Sequence, residues 1–487
     1  MAESKSWWSG AEGGEQAKEG PQDFEPTKIE PPALEGSEEE LLTRRIHILG
    51  MGSIGTLVAH SLRTTPSPPP ITLMMHREDM FEQFKRGGSV IRLVDAKSDV
   101  NDPQTGFDCD VREHNEDGKP FWRYEPEWEH TEDHKQPLNP RSIDERLPDA
   151  DETFIYTLIC TVKAQQSVSA MLAIRHRIDS RSTICLMQNG LGQIDELNEQ
   201  VFTDPSTRPT FLIGVISHGC YMQGPTTVIH TGFGVTSLGI YRDTSKYPLP
   251  PKSLSTNLAD LTPEQRSLHY PTDSELYATS LSARYLLRTL TRCPTLACAA
   301  YPYLDLLQLQ LEKLSSNALL NPITALFDVP NGATLHNASI STIQNMLAAE
   351  ISLVIRSLPE LAPIPGLSQR FSAERLKNLL IGLATKTAKN SSSMREDVRR
   401  ARPSNEIEYI NGYIVKRGSE VGVQAALNFM IVQMIKAKTI FTIKEGNDHI
   451  PLVSGRVEGK MERGKEGAEG GVILEDVSGM SRRRSRS

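Results

Sequence analysis

The sequence predicts an α/β domain built on a parallel sheet, followed by an all-α domain, with disordered tails at both ends. From residue 44 to about 240, short β-branched runs alternate with amphipathic stretches, a pattern typical of parallel strands that carry helices on both faces. After residue 275, apolar residues recur at spacings of three and four, which indicates helices. Both ends of the chain lack the apolar residues that a core requires.

These changes in composition divide the 487 residues into an acidic tail (1–43), the α/β domain (44–240), a linker (241–275), the helical domain (276–443) and a second tail (444–487). The linker is rich in Pro and Ser. Within the α/β domain, residues 97–150 are polar and too numerous for an ordinary connection between elements, so we interpret them as an insertion.

The composition also limits the function. The chain has 53 basic and 61 acidic residues, and residues 1–43 alone hold eleven acids and three bases, so the folded body is nearly neutral. Charge therefore gives no case for nucleic-acid binding, and no stretch approaches the roughly 20 unbroken apolar residues of a membrane helix. Six cysteines without a C-x-x-C pair are typical of reduced thiols, and the N-terminus has no apolar signal segment. We expect a cytoplasmic protein, with a mitochondrial location less favoured, and neither nucleic-acid nor membrane partners.

A glycine motif follows the first predicted strand. The run RIHIL continues at once into G-x-G-x-x-G and then into an amphipathic stretch. Gly50 allows a tight turn, Gly52 lets the backbone approach a pyrophosphate, and Gly55 lets the helix pack closely on the strand. The helix N-terminus then offers free N–H groups and a partial positive charge to the phosphates. With a second strand at residues 71–75, the motif predicts a Rossmann-type dinucleotide site. The residues expected to contact the dinucleotide are Gly50, Met51, Gly52, Ser53, Ile54 and Gly55.

The end of the second predicted strand favours NADP over NAD. NAD enzymes usually carry an acid at this point, which bonds the ribose 2′-OH. Here the strand is followed by His76 and Arg77, and the first acid is Glu78. Because a guanidinium binds a 2′-phosphate through charge-assisted bidentate hydrogen bonds, we predict NADP(H) as the cofactor, with Arg77 on its 2′-phosphate. Lys85 and Arg86 are weaker candidates for the same role.

Three further segments place polar residues where a purely structural chain would not need them. TVKA, with Lys163, and QNGLG, with Asn189, each follow a predicted buried strand, at the edge where α/β sheets bind ligands. In the helical half, Lys313, Asn317 and Asn321 share one helical face. The two asparagines interrupt an apolar pattern, so each needs a hydrogen-bond partner or a ligand.

In chain order these segments resemble the ketopantoate reductase (2-dehydropantoate 2-reductase) family. The matching motifs are GMGSIG, TVKA, QNGLG, KLSSNALLNPITALFDVPNG and NEIEYINGYIV, and the resemblance covers residues 44–240 and 302–440. It implies a 6-phosphogluconate-dehydrogenase-like architecture, in which a Rossmann-type domain and a helical domain enclose NADPH and a 2-oxo acid. It also implies the reduction of 2-dehydropantoate to pantoate, a step toward pantothenate and coenzyme A.

The resemblance further implies roles for single residues. Lys313 matches the catalytic lysine, which polarises the ketone and donates a proton, and Glu406 matches its acidic partner, which binds the substrate hydroxyl. Lys163 and Asn189 match residues that lie against the cofactor. The residues that match substrate-side positions are Asn189, Asn317, Asn321 and Ser393. Because one extra residue separates this serine from Glu406, Ser392 is the alternative to Ser393.

Three functions stay open from the sequence. The first is the 2-dehydropantoate reductase. The second is a related NADPH-dependent reductase of another 2-oxo acid, since a motif fixes the reaction type more firmly than the substrate side chain. The third is a non-catalytic NADP(H)-binding or assembly protein, which the long tails favour and the intact Lys313 and Glu406 disfavour. A small-molecule 2-oxo acid is the expected partner, a homodimer is allowed for, and no metal site is expected.

Overall fold

The computed structural model describes residues 26–30, 44–115, 120–126, 128–130, 135–137, 154–243, 246, 272–403 and 405–447. Within these residues a sheet domain is followed by a helical domain, so the predicted fold class is confirmed. The predictions for most of both tails, for most of the linker and for the latter part of the 97–150 insertion lie outside the described residues.

All the described strands end by residue 300. They are β1 (Ile46–Leu49), β2 (Ile71–Met75), β3 (Ile91–Asp95), β4 (Asn101–Gln104), β5 (Phe107–His114), β6 (Pro120–Glu125), β7 (Trp128–His130), β8 (Lys135–Pro137), β9 (Thr157–Cys160), β10 (Thr183–Leu186), β11 (Thr210–Ile216), β12 (Gly219–Met222), β13 (Thr227–Gly232), β14 (Thr236–Ile240) and β15 (Cys298–Ala300).

The described α-helices are short in the sheet domain and longer beyond it. They are α1 (Ser53–Arg63), α2 (Glu78–Arg86), α3 (Ser167–Leu172), α4 (Gln193–Gln200), α5 (Asp273–Thr279), α6 (Leu281–Thr291), α7 (Tyr303–Phe327), α8 (Ala338–Arg356), α9 (Leu367–Arg370), α10 (Ala373–Lys386), α11 (Ser393–Arg399), α12 (Ile407–Glu420) and α13 (Ala426–Asn447).

The main sheet has nine strands in the order β15-β14-β11-β10-β9-β1-β2-β5-β6. The central pairs are parallel, whereas β6 and β14 pair antiparallel with β5 and β11. A second sheet has the order β12-β13-β3-β4, and β7 pairs with β8. Because β1, β2, β9 and β10 run in one direction, their carboxyl ends share one edge of the sheet. The glycine turn, Arg77, Lys163 and Asn189 all follow those ends, as parallel α/β sheets require of a ligand site.

The interpretation of residues 97–150 as an insertion is wrong for β5, which belongs to the main sheet. The first five residues of β5 are buried, and the strand pairs in parallel with β2. Its polar appearance comes from two buried acids with cationic partners: Asp108 contacts Arg45, and Asp110 accepts a 2.8 Å hydrogen bond from Arg177. A carboxylate is tolerated in a sheet interior when a buried guanidinium neutralises it, and a pattern of apolar residues does not reveal such a strand.

The predicted start of the helical domain at residue 276 is also wrong. Helix α6 is buried through Ala283, Leu286 and Leu290 in the core of the sheet domain, and β15 adds a strand to the main sheet. The helical domain therefore begins with α7. The first tail has a described segment too, since the backbone N–H of Ile29 donates a 3.0 Å hydrogen bond to the carbonyl of Ala300.

Helix α7 is the centre of the helical domain. It packs against α8, α10, α11, α12 and α13. By length and composition alone, α8 and α13 are apolar enough to cross a membrane. Both contribute to the same core, through residues such as Leu347, Ile351, Ile431 and Ile435, and a core helix of a globular domain passes the same test of length and composition.

All six cysteines are free thiols. Cys160 and Cys185 are fully buried on the neighbouring strands β9 and β10, and Cys293 is buried after α6. Burial raises the pKa of the Cys160 thiol to about 12 and that of Cys293 to about 11. Such thiols are structural and unreactive.

Candidate active site

The turn between β1 and α1 has the geometry of a pyrophosphate cradle. Gly50 has φ +105°, and a Cβ there would lie 2.6 Å from the backbone nitrogen of Val162. A Cβ on Gly55 would lie 2.0 Å from the carbonyl oxygen of Gly50, whereas one on Gly52 would meet open space. Protein packing therefore does not require a glycine at position 52, and its absent side chain leaves room for a ligand. Helix α1 has neither a side-chain cap nor an acid in its first turn, so its N–H groups are available to phosphate oxygens.

Met51 and Ile54 pack against the core of the sheet domain, and Ser53 begins α1. Arg77, the cap residue of α2, is exposed and pairs at 3.5 Å with Asp79. Since the strand ends without a carboxylate aimed at a ribose, the residues present fit a dinucleotide with a charged 2′ substituent at least as well as one with a hydroxyl.

Four side chains from the two domains meet beyond the ends of β9 and β10. The ammonium of Lys163 lies 3.0 Å from the carboxylate of Asp397 and 3.7 Å from that of Glu406. The amide of Asn189 donates a 3.2 Å hydrogen bond to Glu406. Both carboxylates are almost fully buried. The sheet domain thus contributes the cation and the amide, and the helical domain contributes the two acids.

Close backbone contact fixes the loop that carries Asn189. Gly190 has φ +83°, and a Cβ there would lie 2.5 Å from the backbone oxygen of Tyr409 on α12. The next N–H, of Leu191, donates a 2.9 Å hydrogen bond to that oxygen. The QNGLG loop therefore lies directly on the helix that follows Glu406, which places Asn189 within reach of the carboxylate.

Lys313 projects from α7 toward the end of β11, where its ammonium donates a 2.5 Å hydrogen bond to the carbonyl of Ile216. Burial lowers the pKa of Lys313 to about 8, although the charge of Glu406 opposes the shift. Burial likewise raises the pKa of Glu406, with Asp397 adding to the rise, while Lys163, Asn189 and Lys313 oppose it. Lys313 and Glu406 interact electrostatically without a direct ion pair between them, among the contacts of the described residues.

The two asparagines of α7 lie one and two turns beyond Lys313. Asn321 is buried and Asn317 is half-buried, and their amides make no hydrogen bond with the described part of the chain. Amides at this depth need partners, so their donors and acceptors are available to a bound molecule.

The structure distinguishes the two candidate serines. The hydroxyl of Ser392 caps α11 and lies 2.7 Å from the hydroxyl of Thr324, one turn beyond Asn321 on α7. Ser393 is exposed in the first turn of α11. Of the two, Ser392 lies against the asparagine-bearing helix and its hydroxyl is engaged there, so Ser393 stays our predicted substrate residue.

None of the sequence motifs contains Asp397. The sequence around Asp397 gives little indication of a functional role, because this arginine-rich stretch is typical of a solvated helix. A retrospective clue is its place between Met394 and Val398, which are buried and define the inward face of α11. In the described residues, no group of three or more His, Cys, Asp or Glu is arranged to hold a metal.

A dinucleotide cradle at a sheet edge, with a lysine, an amide and two buried carboxyl groups clustered at the same edge, defines a two-domain nicotinamide-dependent oxidoreductase. Residues 46–243 match the family model described as ketopantoate reductase PanE/ApbA, and residues 305–439 match its C-terminal counterpart. The chain belongs to the ketopantoate reductase family.

Several named proteins are similar in sequence to most of the chain. A probable 2-dehydropantoate 2-reductase of Schizosaccharomyces pombe is 26% identical over 400 residues, which are 82% of this chain and 97% of that protein. The 2-dehydropantoate 2-reductase of Saccharomyces cerevisiae is 25% identical over 76% of this chain and 87% of its own length. Ketoisovalerate reductase BEA2 of Gibberella fujikuroi is 24% identical over 80% of this chain and 82% of that protein.

Solved structures share the fold. A PanE/ApbA family ketopantoate reductase from Ralstonia eutropha superimposes with a TM-score of 0.50 at 16% identity, over 82% of this chain and 99% of that one. A D-mandelate dehydrogenase in complex with NADH and anilino(oxo)acetate gives the same values. At this identity the likeness establishes the fold alone.

Proposed function

We propose that this protein is an NADPH-dependent reductase that converts 2-dehydropantoate to pantoate. The observation that carries the proposal is the cluster of Lys163, Asn189 and Glu406 at the sheet edge that holds the glycine turn. Lys313 is close enough for its charge to act on Glu406. The names of the relatives from both yeasts support the choice of substrate.

In this proposal the cofactor is held by residues at the carboxyl edge of the sheet. These are Gly50, Met51, Gly52, Ser53, Ile54, Gly55, Arg77, Lys163 and Asn189. When bound, the cofactor supplies a hydride to the ketone carbon. Arg77 favours NADPH because its guanidinium can pair with a 2′-phosphate.

Lys313 acts on the ketone oxygen. One of its three N–H bonds is directed to the carbonyl of Ile216, which leaves two for the substrate and fixes the position of the amine. The ammonium polarises the carbonyl and then transfers a proton to the oxygen, so that the carbonyl gains one hydride and one proton and becomes a hydroxyl. A pKa of about 8 suits a group that must give up its proton near neutral pH.

Glu406 and the amides orient the substrate. Glu406 accepts a hydrogen bond from the substrate hydroxymethyl group. The amide of Asn189 holds the Glu406 carboxylate in place. Asn317, Asn321 and Ser393 offer hydrogen-bond donors to the substrate carboxylate, and Ser392 is held against α7 through its contact with Thr324. Lys163 and Asp397 complete the site from either side of the domain boundary, where they restrain Glu406.

A second substrate is favoured by one observation, the similarity to a ketoisovalerate reductase. Ketoisovalerate has a hydrogen where 2-dehydropantoate carries the hydroxymethyl group, so the two substrates test the role assigned to Glu406. The assay follows NADPH consumption by the purified full chain with each 2-oxo acid. We expect 2-dehydropantoate to give the higher kcat/KM in the unmodified protein.

The Glu406→Gln variant sharpens this assay. Its kcat/KM should fall more for 2-dehydropantoate than for ketoisovalerate, because only the former presents a hydroxyl to the carboxylate. Turnover of ketoisovalerate alone would replace the proposed substrate. Binding of NADPH without turnover of any 2-oxo acid would favour the non-catalytic alternative.

We also propose a cellular location and binding partners for this enzyme. We place the enzyme in the cytoplasm, which the six free thiols support because they suit a reducing compartment. Its partners are the 2-oxo acid and, as a further expectation, a second copy of the chain, and we assign it neither nucleic-acid nor membrane partners.

A further inference from the structure

A second arginine, Arg112 on strand β5, lies at the level where the neighbouring strand β2 ends. Strand β5 runs parallel to β2, with Val111 opposite Met75. The residues that follow this pair are His76 and Arg77 on one strand and Arg112 on the other. Because the strands are parallel neighbours, these side chains emerge at the same edge of the sheet, next to the glycine turn.

Two acids on the same face of β5 have cationic partners, whereas Arg112 has none among the described residues. Side chains alternate along a strand, so Asp108, Asp110 and Arg112 share one face. The two acids contact Arg45 and Arg177. Arg112 makes no hydrogen bond or ion pair with the described residues, and its Nε is buried without an acceptor. A buried donor without an acceptor is costly, and a guanidinium without a protein partner can turn toward a bound anion.

Two guanidinium charges act on the same point of the site. Burial lowers the pKa of His76, and the charges of Arg77 and Arg112 lower it further, against the opposing charge of Asp79. Asp79 is paired with Arg77, and the acid that follows Arg112, Glu113, is paired with Arg123. The Arg112 charge is therefore not neutralised from the described surroundings.

We propose that Arg112 binds the adenosine 2′-phosphate of the cofactor together with Arg77, and so determines the choice of NADPH over NADH. The inference rests on the proposed use of NADPH. A phosphate monoester accepts charge-assisted hydrogen bonds from two guanidinium groups at once, and the described residues accept none of the bonds that Arg112 can donate.

Lys85 and Arg86 fit this role less well. Both lie in the last turn of α2, eight and nine residues beyond Arg77, and Lys85 stacks over the ring of Phe81 at 5.7 Å. Arg86 is exposed. It therefore offers a matched control, an arginine of the same region whose removal should not affect the phosphate.

The test measures binding directly, by titration calorimetry of the full chain with NADP⁺, NAD⁺, 2′,5′-ADP and 5′-AMP. For Arg112→Met, we expect the Kd of NADP⁺ and of 2′,5′-ADP to rise roughly ten- to a hundredfold, as the loss of a charged hydrogen bond implies. The Kd of NAD⁺ and of 5′-AMP should stay unchanged. Arg86→Met should leave all four values unchanged, and Arg112→Lys should recover part of the loss.

The same titrations distinguish the role of Arg112 from the proposed use of NADPH. If Arg77→Met weakens NADP⁺ while Arg112→Met does not, the role of Arg112 is refuted and the use of NADPH stands. If the unmodified protein binds NAD⁺ as tightly as NADP⁺, the cofactor assignment fails, and the inference with it. If Arg112→Met lowers the melting temperature, the Kd values of Arg112→Lys, which retains the charge, test the role of Arg112 instead. Equal losses for NADP⁺ and NAD⁺ in Arg112→Lys would also refute the role.

Discussion

At the residue scale, Lys313 is proposed to donate a proton, but its burial lowers the stability of the folded protein. Lys313 is held in a buried site that lowers its pKa to about 8, so the folded state disfavours its charge. An uncharged residue of similar length avoids that desolvation. Function and stability therefore place opposite demands on this position.

The variant Lys313→Met tests both demands. We expect kcat to fall by roughly 10² or more, because the proton donor is lost, while the melting temperature rises. Lys389→Met, at an exposed lysine of the same domain, should change neither quantity. Steady-state kinetics and scanning calorimetry provide the measurements. Unchanged turnover in Lys313→Met would remove this lysine from its assigned role.

The pH dependence of the reaction follows from the same pKa. Lys313 must be protonated to donate, so activity should be full below a pH of about 8 and decline as pH rises through that value. Stability should change in the opposite sense. Between about 8 and the ordinary lysine value of 10.5 the unfolded chain binds more protons than the folded one, so the free energy of unfolding should rise with pH there. A rate that stays constant up to pH 10 would contradict this assignment.

At the element scale, strand β5 shows where sequence patterns stop being informative. The glycine turn and strands β1, β2, β9 and β10 follow from apolar runs and a local motif, and the structure has them as predicted. Strand β5 does not, because Asp108 and Asp110 become acceptable only through arginines distant in the sequence. The docking of α6 on the sheet also depends on tertiary contacts that helical periodicity does not contain.

The same limit applies to the site. Lys163, Asn189, Lys313, Asn317, Asn321 and Glu406 were found because motifs carry them. Asp397 and Arg112 were not, because each gains its place from a neighbouring element: Asp397 from the loop with Lys163, and Arg112 from strand β2. Local sequence does not encode which strand or helix will lie alongside.

Asp110→Ala tests whether β5 is integral to the sheet. It would leave the buried guanidinium of Arg177 without its carboxylate, so we expect the free energy of unfolding to fall by about 3–5 kcal/mol. The double variant Asp110→Ala with Arg177→Met should recover much of this loss. Urea titration measures both. If the single variant is as stable as the unmodified protein, the ion pair does not support the strand.

At the scale of the whole molecule, the ion pair between Lys163 and Asp397 joins the domains beside the reaction site. Lys163 belongs to the sheet domain and Asp397 to the helical domain, with 3.0 Å between their charged atoms. The pair is partly buried, so solvent screens it less than it would screen a surface pair. Its loss should loosen the contact between the domains without unfolding either one.

Asp397→Asn is expected to accelerate backbone hydrogen exchange around Lys163 and in α11, while exchange in β1 stays slow. Exchange mass spectrometry of the full chain measures this. The matched control is Glu396→Gln, which alters a neighbouring acid with only surface arginine partners. Exchange that is the same in both variants would show that the pair does not hold the domains together.

The buried thiols give the protein a built-in reporter of its own unfolding. Cys160 and Cys185 lie inside the sheet, and a thiol whose pKa is raised that far holds almost no thiolate at neutral pH. An alkylating reagent should therefore leave both untouched in the native protein and modify them only when the sheet opens. Mass spectrometry of alkylated peptides, collected along a denaturant series, would time the opening of the sheet without any engineered label. Rapid alkylation of Cys160 in the native protein would show that the centre of the sheet is open to reagents.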